Sequence, residues 1–82
     1  MKYVIFKRGD LKHVVLCADH TSHSSLMVEG AKPVSAGFVS ITDKGVSCFG
    51  SSDSLNLSSK PEDDILVKAV LANCGIYAFL DL

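Results

Sequence analysis

The stretch KYVIFKRGDLKHVVLC, residues 2–17, decides the fold because it predicts a β-hairpin at the start of the chain. Residues 2–7 and 12–17 are rich in β-branched and aromatic side chains, and RGDL at 8–11 supplies turn chemistry between them. Both segments carry apolar residues on both faces, whereas a half-solvated strand would alternate. We therefore expect a sheet covered on each face, by this chain or, on one face, by a partner.

A second hairpin is predicted from residues 34–41 (VSAGFVSI) and 46–49 (VSCF). The residues between them, TDKG, place Gly45 where a positive φ angle is needed to close the turn.

The next segment, SSDSLNLS at 51–58, is polar apart from Leu55 and Leu57, which share one face of an extended chain. It predicts either a continuation of the strand beyond a bulge at Gly50 or an ordered loop pinned by the two leucines.

Between the hairpins, residues 22–29 predict a short helix. Asp19 or Thr21 is its candidate cap, Gly30 would end it, and the following Lys-Pro pair would keep it from continuing.

The clearest local signal is SKPE at 59–62, which predicts the start of a long helix. Ser59 as N-cap and Glu62 three residues later form a capping box, with a proline in the first turn. The helix is predicted to reach residue 73 or 74, with Gly75 as its C-cap residue. Its predicted apolar stripe contains Ile65, Leu66, Ala69, Val70 and residues 73–74, with Val67 and Leu71 outside it.

The predicted order is strand, strand, short helix, strand, strand, long helix, short strand. This order specifies an α+β fold: a small antiparallel sheet of two hairpins with one long C-terminal helix packed on one face. The chain is expected to form a single domain over residues 1–82, and IYAFLDL at 76–82 predicts either a last strand or an interaction arm.

Composition excludes several classes of function. A chain of 82 residues has little material for a deep, enclosed active site. Eight basic residues against nine acidic ones, for a net charge of −1, remove the electrostatic basis for nucleic-acid binding. The longest apolar runs have five residues, against the roughly 20 that span a bilayer. With no signal-peptide pattern, we expect a cytoplasmic protein that does not enter membranes.

Cys17, Asp19, His20 and His23 lie within seven residues and resemble half of a zinc site, because thiolate and imidazole are good zinc ligands. The other histidine and cysteines show no motif spacing relative to this cluster. The favoured interpretation is structural, with Cys17 ending a buried strand and the others flanking a polar turn. No cofactor and no catalytic residue is predicted, since an enzyme would require these four side chains to converge in a cleft.

The candidate ligand site is the glycine-serine segment, in which Gly50, Ser51, Ser52 and Ser54 would supply amide and hydroxyl hydrogen bonds to an anion or small ligand. The favoured alternative is a solvated connector whose hydroxyls cap local backbone.

Lys7-Arg8 and Lys12 predict a small positive edge on the first hairpin. Protection of the edge strand is favoured over a phosphate site as its explanation.

The apolar residues exceed what one helix on a small sheet would cover, which predicts self-association, with a dimer favoured. The alternative is that the tail and short helix cap the second sheet face in a monomer. The candidate partner interface consists of side chains from the helix and the tail: Val67, Leu71, Ile76, Tyr77, Phe79 and Leu80.

Three motifs, PVSAGF at 33–38, GSSDSLNL at 50–57 and PEDD at 61–64, carry a family resemblance. With them, residues 33–66 resemble a group of short, uncharacterised bacterial proteins often carried by phages and prophages. The connector before these motifs is shorter, and the segment after Leu71 looks like an addition. The resemblance transfers no chemistry. It implies a context in which small proteins commonly block or redirect a host protein, including defence proteins, and some sequester signalling nucleotides.

We therefore expect a small non-enzymatic modulator that acts by protein–protein interaction, for example by inhibiting a host or defence protein. The alternative is a protein that binds or sequesters a small ligand, a nucleotide or an anion, through residues 50–59 at an oligomer junction.

Overall fold

The structure, a computed structural model, describes residues 1–73, so the predicted tail 76–82 and the predicted C-cap Gly75 lie outside the described residues. Seven regular elements and one turn of 3-10 helix at His23–Ser25 make up the described part. In chain order they are β1 (Lys2–Arg8), β2 (Leu11–Cys17), β3 (Lys32–Thr42), β4 (Gly45–Phe49), β5 (Ser51–Ser52), β6 (Leu57–Ser58) and α1 (Asp63–Asn73).

The main sheet has four strands in the order β2-β1-β3-β4, and every neighbouring pair is antiparallel. This arrangement confirms an α+β fold with an antiparallel sheet and a C-terminal helix. Both predicted hairpins are present, and β1 pairs with β3 to join them into one sheet. The order differs in detail from the prediction, because the short helix is replaced by a single turn and a further hairpin, β5-β6, follows β4.

The predicted helix over 22–29 is wrong. Serine side chains bond locally instead: the Ser25 hydroxyl donates to the Ser22 carbonyl at 2.6 Å, and the Ser22 and Ser24 hydroxyls lie 2.9 Å apart. Such bonds compete with a helix for the backbone. The chain is extended again by Leu26.

The segment 51–58 forms a short hairpin, which differs from both predicted alternatives, a continued strand and an ordered loop. Gly50, with φ of 77°, turns the chain out of β4. The short ladder of β5 and β6 then lets Leu55 and Leu57 pack against the sheet.

The sheet is covered on both faces by this chain. On one face α1 packs over a cluster of buried side chains: Tyr3, Ile5, Val39, Val67 and Leu71. On the other face, side chains from 26–31 and from the β5-β6 hairpin cover Val4, Phe6 and Ala36. This burial explains why the strands carry apolar residues on both faces, and it accounts for much of the apolar excess in the sequence.

Helix α1 begins at Asp63, not beside Ser59. The Asp63 carboxylate accepts a hydrogen bond from the Lys60 N–H at 2.9 Å. This bond is one of the two that define a capping box, the one between an acidic side chain and the backbone N–H three residues before it. The Ser59 N–H instead donates to the Gly50 carbonyl at 2.9 Å.

The predicted apolar stripe of α1 holds for Leu66, which packs against the buried cluster, but not for Ile65. Val67 and Leu71 are fully buried, whereas Ile65 is 73% exposed. Asp63, Val67 and Leu71 are spaced four residues apart and so share one helix face. The contacts that bury Asp63 therefore turn this face, and not the predicted one, toward the sheet.

Candidate functional site

A buried carboxylate fastens the start of α1 to the sheet. Asp63 is 1% exposed; its Oδ2 accepts a hydrogen bond from the Tyr3 hydroxyl at 2.5 Å and its Oδ1 one from the Ser35 hydroxyl at 3.1 Å. Tyr3 and Ser35 are themselves buried. The carboxylate is thus satisfied by the chain itself and sealed from solvent, so it has a structural role.

Beside this carboxylate, Asp64 accepts a hydrogen bond from the Cys48 N–H at 2.7 Å. Burial first, and Asp64 second, raise the pKa of the Cys48 thiol to about 12. Burial and the bond to Asp63 raise the pKa of the Tyr3 phenol well above its usual range. Both groups stay protonated at neutral pH, and a protonated thiol is a poor nucleophile.

An aromatic corner lies on the other face of the sheet, at the end of β4. The rings of Phe38 and Phe49 stack with centroids 5.8 Å apart and planes 27° from parallel. The His23 ring meets Phe38 edge-on at 5.6 Å, and its Nε2 donates to the Gly37 carbonyl at 2.8 Å. Phe49 is nevertheless 50% exposed. The corner therefore presents a half-exposed ring in a fixed position.

Two glycines allow this corner to form. A Cβ at Gly37 would collide with the Phe49 carbonyl oxygen, and one at Gly50 would lie 3.0 Å from the Phe38 ring. Gly50 also needs its positive φ, which side-chain-bearing residues rarely adopt. The aromatic corner could not be predicted from the sequence, because His23, Phe38 and Phe49 come from separate elements.

The predicted ligand segment forms an open polar depression of about 150 Å³, lined by Ser51, Ser52, Asp53, Asn56, Leu57 and Ser58. Ser52 is 2% exposed; its hydroxyl accepts from the Leu55 N–H at 3.4 Å and lies 3.3 Å from that of Ser54. The structure thus places Ser51 and Ser52 at the depression and leaves Gly50 and Ser54 off its lining. Ligand pockets typically measure about 300–1,000 Å³, so this depression has room only for an ion or a small group.

The four metal candidates do not converge. Cys17 and Asp19 line an open, mostly apolar cavity of about 420 Å³. Asp19 pairs with the Met1 ammonium at 2.6 Å, which lowers the pKa of its carboxyl. Burial raises the pKa of the Cys17 thiol, and His23 is held by Gly37 as described. Within residues 1–73 no group of three or more histidine, cysteine or acidic side chains is arranged to hold a metal ion.

The structure removes two residues from the partner interface that the sequence predicts. Val67 and Leu71 have no exposed surface left for a partner, because they pack against the sheet. The remaining candidates lie outside the described residues: Ile76, Tyr77, Phe79 and Leu80. Among residues 1–73, the large apolar side chains that stay exposed are Met1, Leu11, Met27, Phe49 and Ile65.

Comparisons with protein-family models, with curated proteins and with solved structures find no match for this chain. Among the described residues, no helix is both long and apolar enough to cross a membrane. Any functional assignment therefore depends on the geometry of the site itself.

Proposed function

We propose that this chain is a small non-enzymatic binding protein that acts by occupying the surface of a partner protein. The half-exposed ring of Phe49 is the observation that supports this proposal. Energetically dominant contacts in interfaces are commonly large aromatic side chains. A ring already held in place by Phe38 loses little conformational freedom on binding, so more of its contact energy becomes affinity.

The state of the ionisable groups favours binding over catalysis. Asp63 is sealed between helix and sheet, and Cys48 keeps its proton because its pKa is raised to about 12. General base and nucleophilic catalysis require groups that reach a substrate in the correct protonation state.

We further propose a host protein as the partner, in the phage or prophage context that the resemblance of residues 33–66 implies. Self-association, with a dimer favoured, remains part of the proposal, with Phe49 and the tail side chains Ile76, Tyr77, Phe79 and Leu80 as its candidate contacts.

The test is affinity capture from the native host with the wild-type chain and two variants. Phe49→Ala removes the proposed anchor. Ile65→Ala is the matched control, because Ile65 is also a large exposed side chain but lies on α1, over the opposite sheet face. We expect the wild type and the control to retain one host protein in stoichiometric amount and Phe49→Ala to lose it. Equal retention by all three chains would contradict the proposal.

The polar depression at 51–58 supports a second candidate, binding of a small ion or polar group at an oligomer junction. A shift in thermal unfolding with a panel of inorganic anions and nucleotides tests it, with Ser51→Ala as the site variant and Ser47→Ala as an exposed serine control. Stabilisation that Ser51→Ala abolishes supports a ligand site, and no shift with any compound removes this candidate.

A further inference from the structure

Three lysines form a row across one end of the sheet. In the pairing registers Lys7 lies directly opposite Lys12 of β2 on one side and directly opposite Lys32 of β3 on the other. Residues paired in this way have side chains on the same face. All three lysines are exposed. With strands about 4.8 Å apart, the row is about 10 Å long.

An irregularity in the sheet creates the row. The register between β1 and β3 shifts between Ile5 and Phe6, so that Phe6 pairs with Pro33 and Lys7 with Lys32. Without this shift Lys7 would face Pro33. Lys12 and Lys7 were visible in the sequence as a small positive edge, but Lys32 joins them only through the bulge.

The row has no charge partner within the described part of the chain. The ion pair between Met1 and Asp19 involves none of the three lysines, and no carboxylate among the described residues pairs with them. Like charges directly opposite one another destabilise a sheet. An outside group of negative charge would therefore gain attraction to all three ammonium groups and relieve their mutual repulsion.

We propose that Lys7, Lys12 and Lys32 form a second docking surface, which binds an acidic segment of a protein that presents two or three carboxylates within about 10 Å. This inference goes beyond the proposed function, because the row lies on the helix side of the sheet and Phe49 on the other. The exposed side chains of Asp10 and Glu29 lie in the turns that precede β2 and β3. A row of three positive charges suits a short acidic segment better than a long nucleic acid, whose tight binding needs many phosphate contacts.

The test is a fluorescence anisotropy titration at low salt with two labelled probes, a deca-glutamate peptide and a ten-nucleotide oligothymidylate. The row variant is Lys12→Gln/Lys32→Gln. The control, Lys44→Gln/Lys60→Gln, makes the same change in net charge at exposed lysines outside the row. Because an exposed ion pair contributes a factor of up to about five, we expect the row variant to bind deca-glutamate about tenfold more weakly and the control less than about twofold.

Three results would overturn this inference: no salt-dependent binding of deca-glutamate by the wild type, equal losses in the two variants, or tighter binding of oligothymidylate that depends on the row. Phe49→Ala is expected to bind deca-glutamate as the wild type does. The capture experiment with Phe49→Ala therefore tests the proposed function separately. Either the Phe49 proposal or the lysine-row proposal can fail while the other stands.

Discussion

Replacing Asp63 by alanine tests whether one buried carboxylate holds α1 on the sheet. The substitution removes the acceptor for the hydroxyls of Tyr3 and Ser35 and for the N–H of Lys60. Each buried hydroxyl left without a partner costs about 1–3 kcal/mol. Loss of the bond at the helix start adds about 1 kcal/mol, and relief from burying a carboxylate offsets part of the sum.

We therefore expect Asp63→Ala to lower the free energy of unfolding by about 3–5 kcal/mol. A domain of 82 residues has a total stability of about 4–12 kcal/mol, so this variant loses at least about a quarter of it. Urea titration followed by far-ultraviolet circular dichroism measures the change. Asp63→Asn, which keeps one acceptor oxygen, provides a milder variant that stays folded. Glu62→Ala is the neighbouring exposed control and should change stability by less than about 0.5 kcal/mol.

A double-mutant cycle gives the decisive comparison. If the loss of stability comes from buried hydroxyls without an acceptor, Asp63→Ala should be much less destabilising in a Tyr3→Phe/Ser35→Ala background, where both hydroxyls are absent. The same loss in both backgrounds would refute the reasoning.

Other predictions concern Gly37, Cys48 and the lysine row. Gly37→Ala should lower the free energy of unfolding by about 1–3 kcal/mol in urea titrations, because its Cβ meets a carbonyl oxygen of the adjacent strand; unchanged stability would contradict this contact. The pKa of Cys48 is about 12 in the folded chain and 9.0 ordinarily, so its contribution to stability is complete below pH 9 and is lost as pH rises toward 12. Cys48→Ala should therefore flatten the alkaline fall of the urea midpoint, and an unchanged fall would oppose this account. Lys7→Gln should raise stability by about 0.5 kcal/mol at low salt, since it relieves repulsion from Lys12 and Lys32, and by nothing at high salt; a gain that persists in high salt would rule out repulsion as its cause.

The sequence predicts those parts of the fold that depend on neighbouring residues. The hairpins around the turns at 8–11 and 42–45 follow from β-branched runs and turn residues, and the helix near residues 63–73 follows from its acidic first turn and apolar content. These signals involve residues that are close together in the chain, so they do not depend on how distant segments pack.

The orientation of α1 could not be predicted in this way. It depends on the contact of Asp63 with Tyr3, 60 residues earlier, and a local pattern treats an acid in the first helical turn as solvated. The stripe rule therefore selected Ile65, which is exposed, over Val67 and Leu71, which are buried.

The aromatic corner and the lysine row could not be predicted from local sequence patterns either. Phe49 is held by Phe38 and, through it, by His23, and these residues come from three separate parts of the chain. The lysine row requires Lys32 to lie opposite Lys7, which the bulge decides. Charge and aromatic content can be read from the sequence, but their placement depends on strand pairing.

The most direct test of the central claim is the dissociation constant of the captured host protein, once purified, for the wild-type chain, Phe49→Ala and Ile65→Ala. Loss of a dominant aromatic contact is worth about 2 kcal/mol or more, so the account predicts about 30-fold weaker binding for Phe49→Ala and less than about threefold for Ile65→Ala. Equal dissociation constants for the wild type and Phe49→Ala would contradict the account.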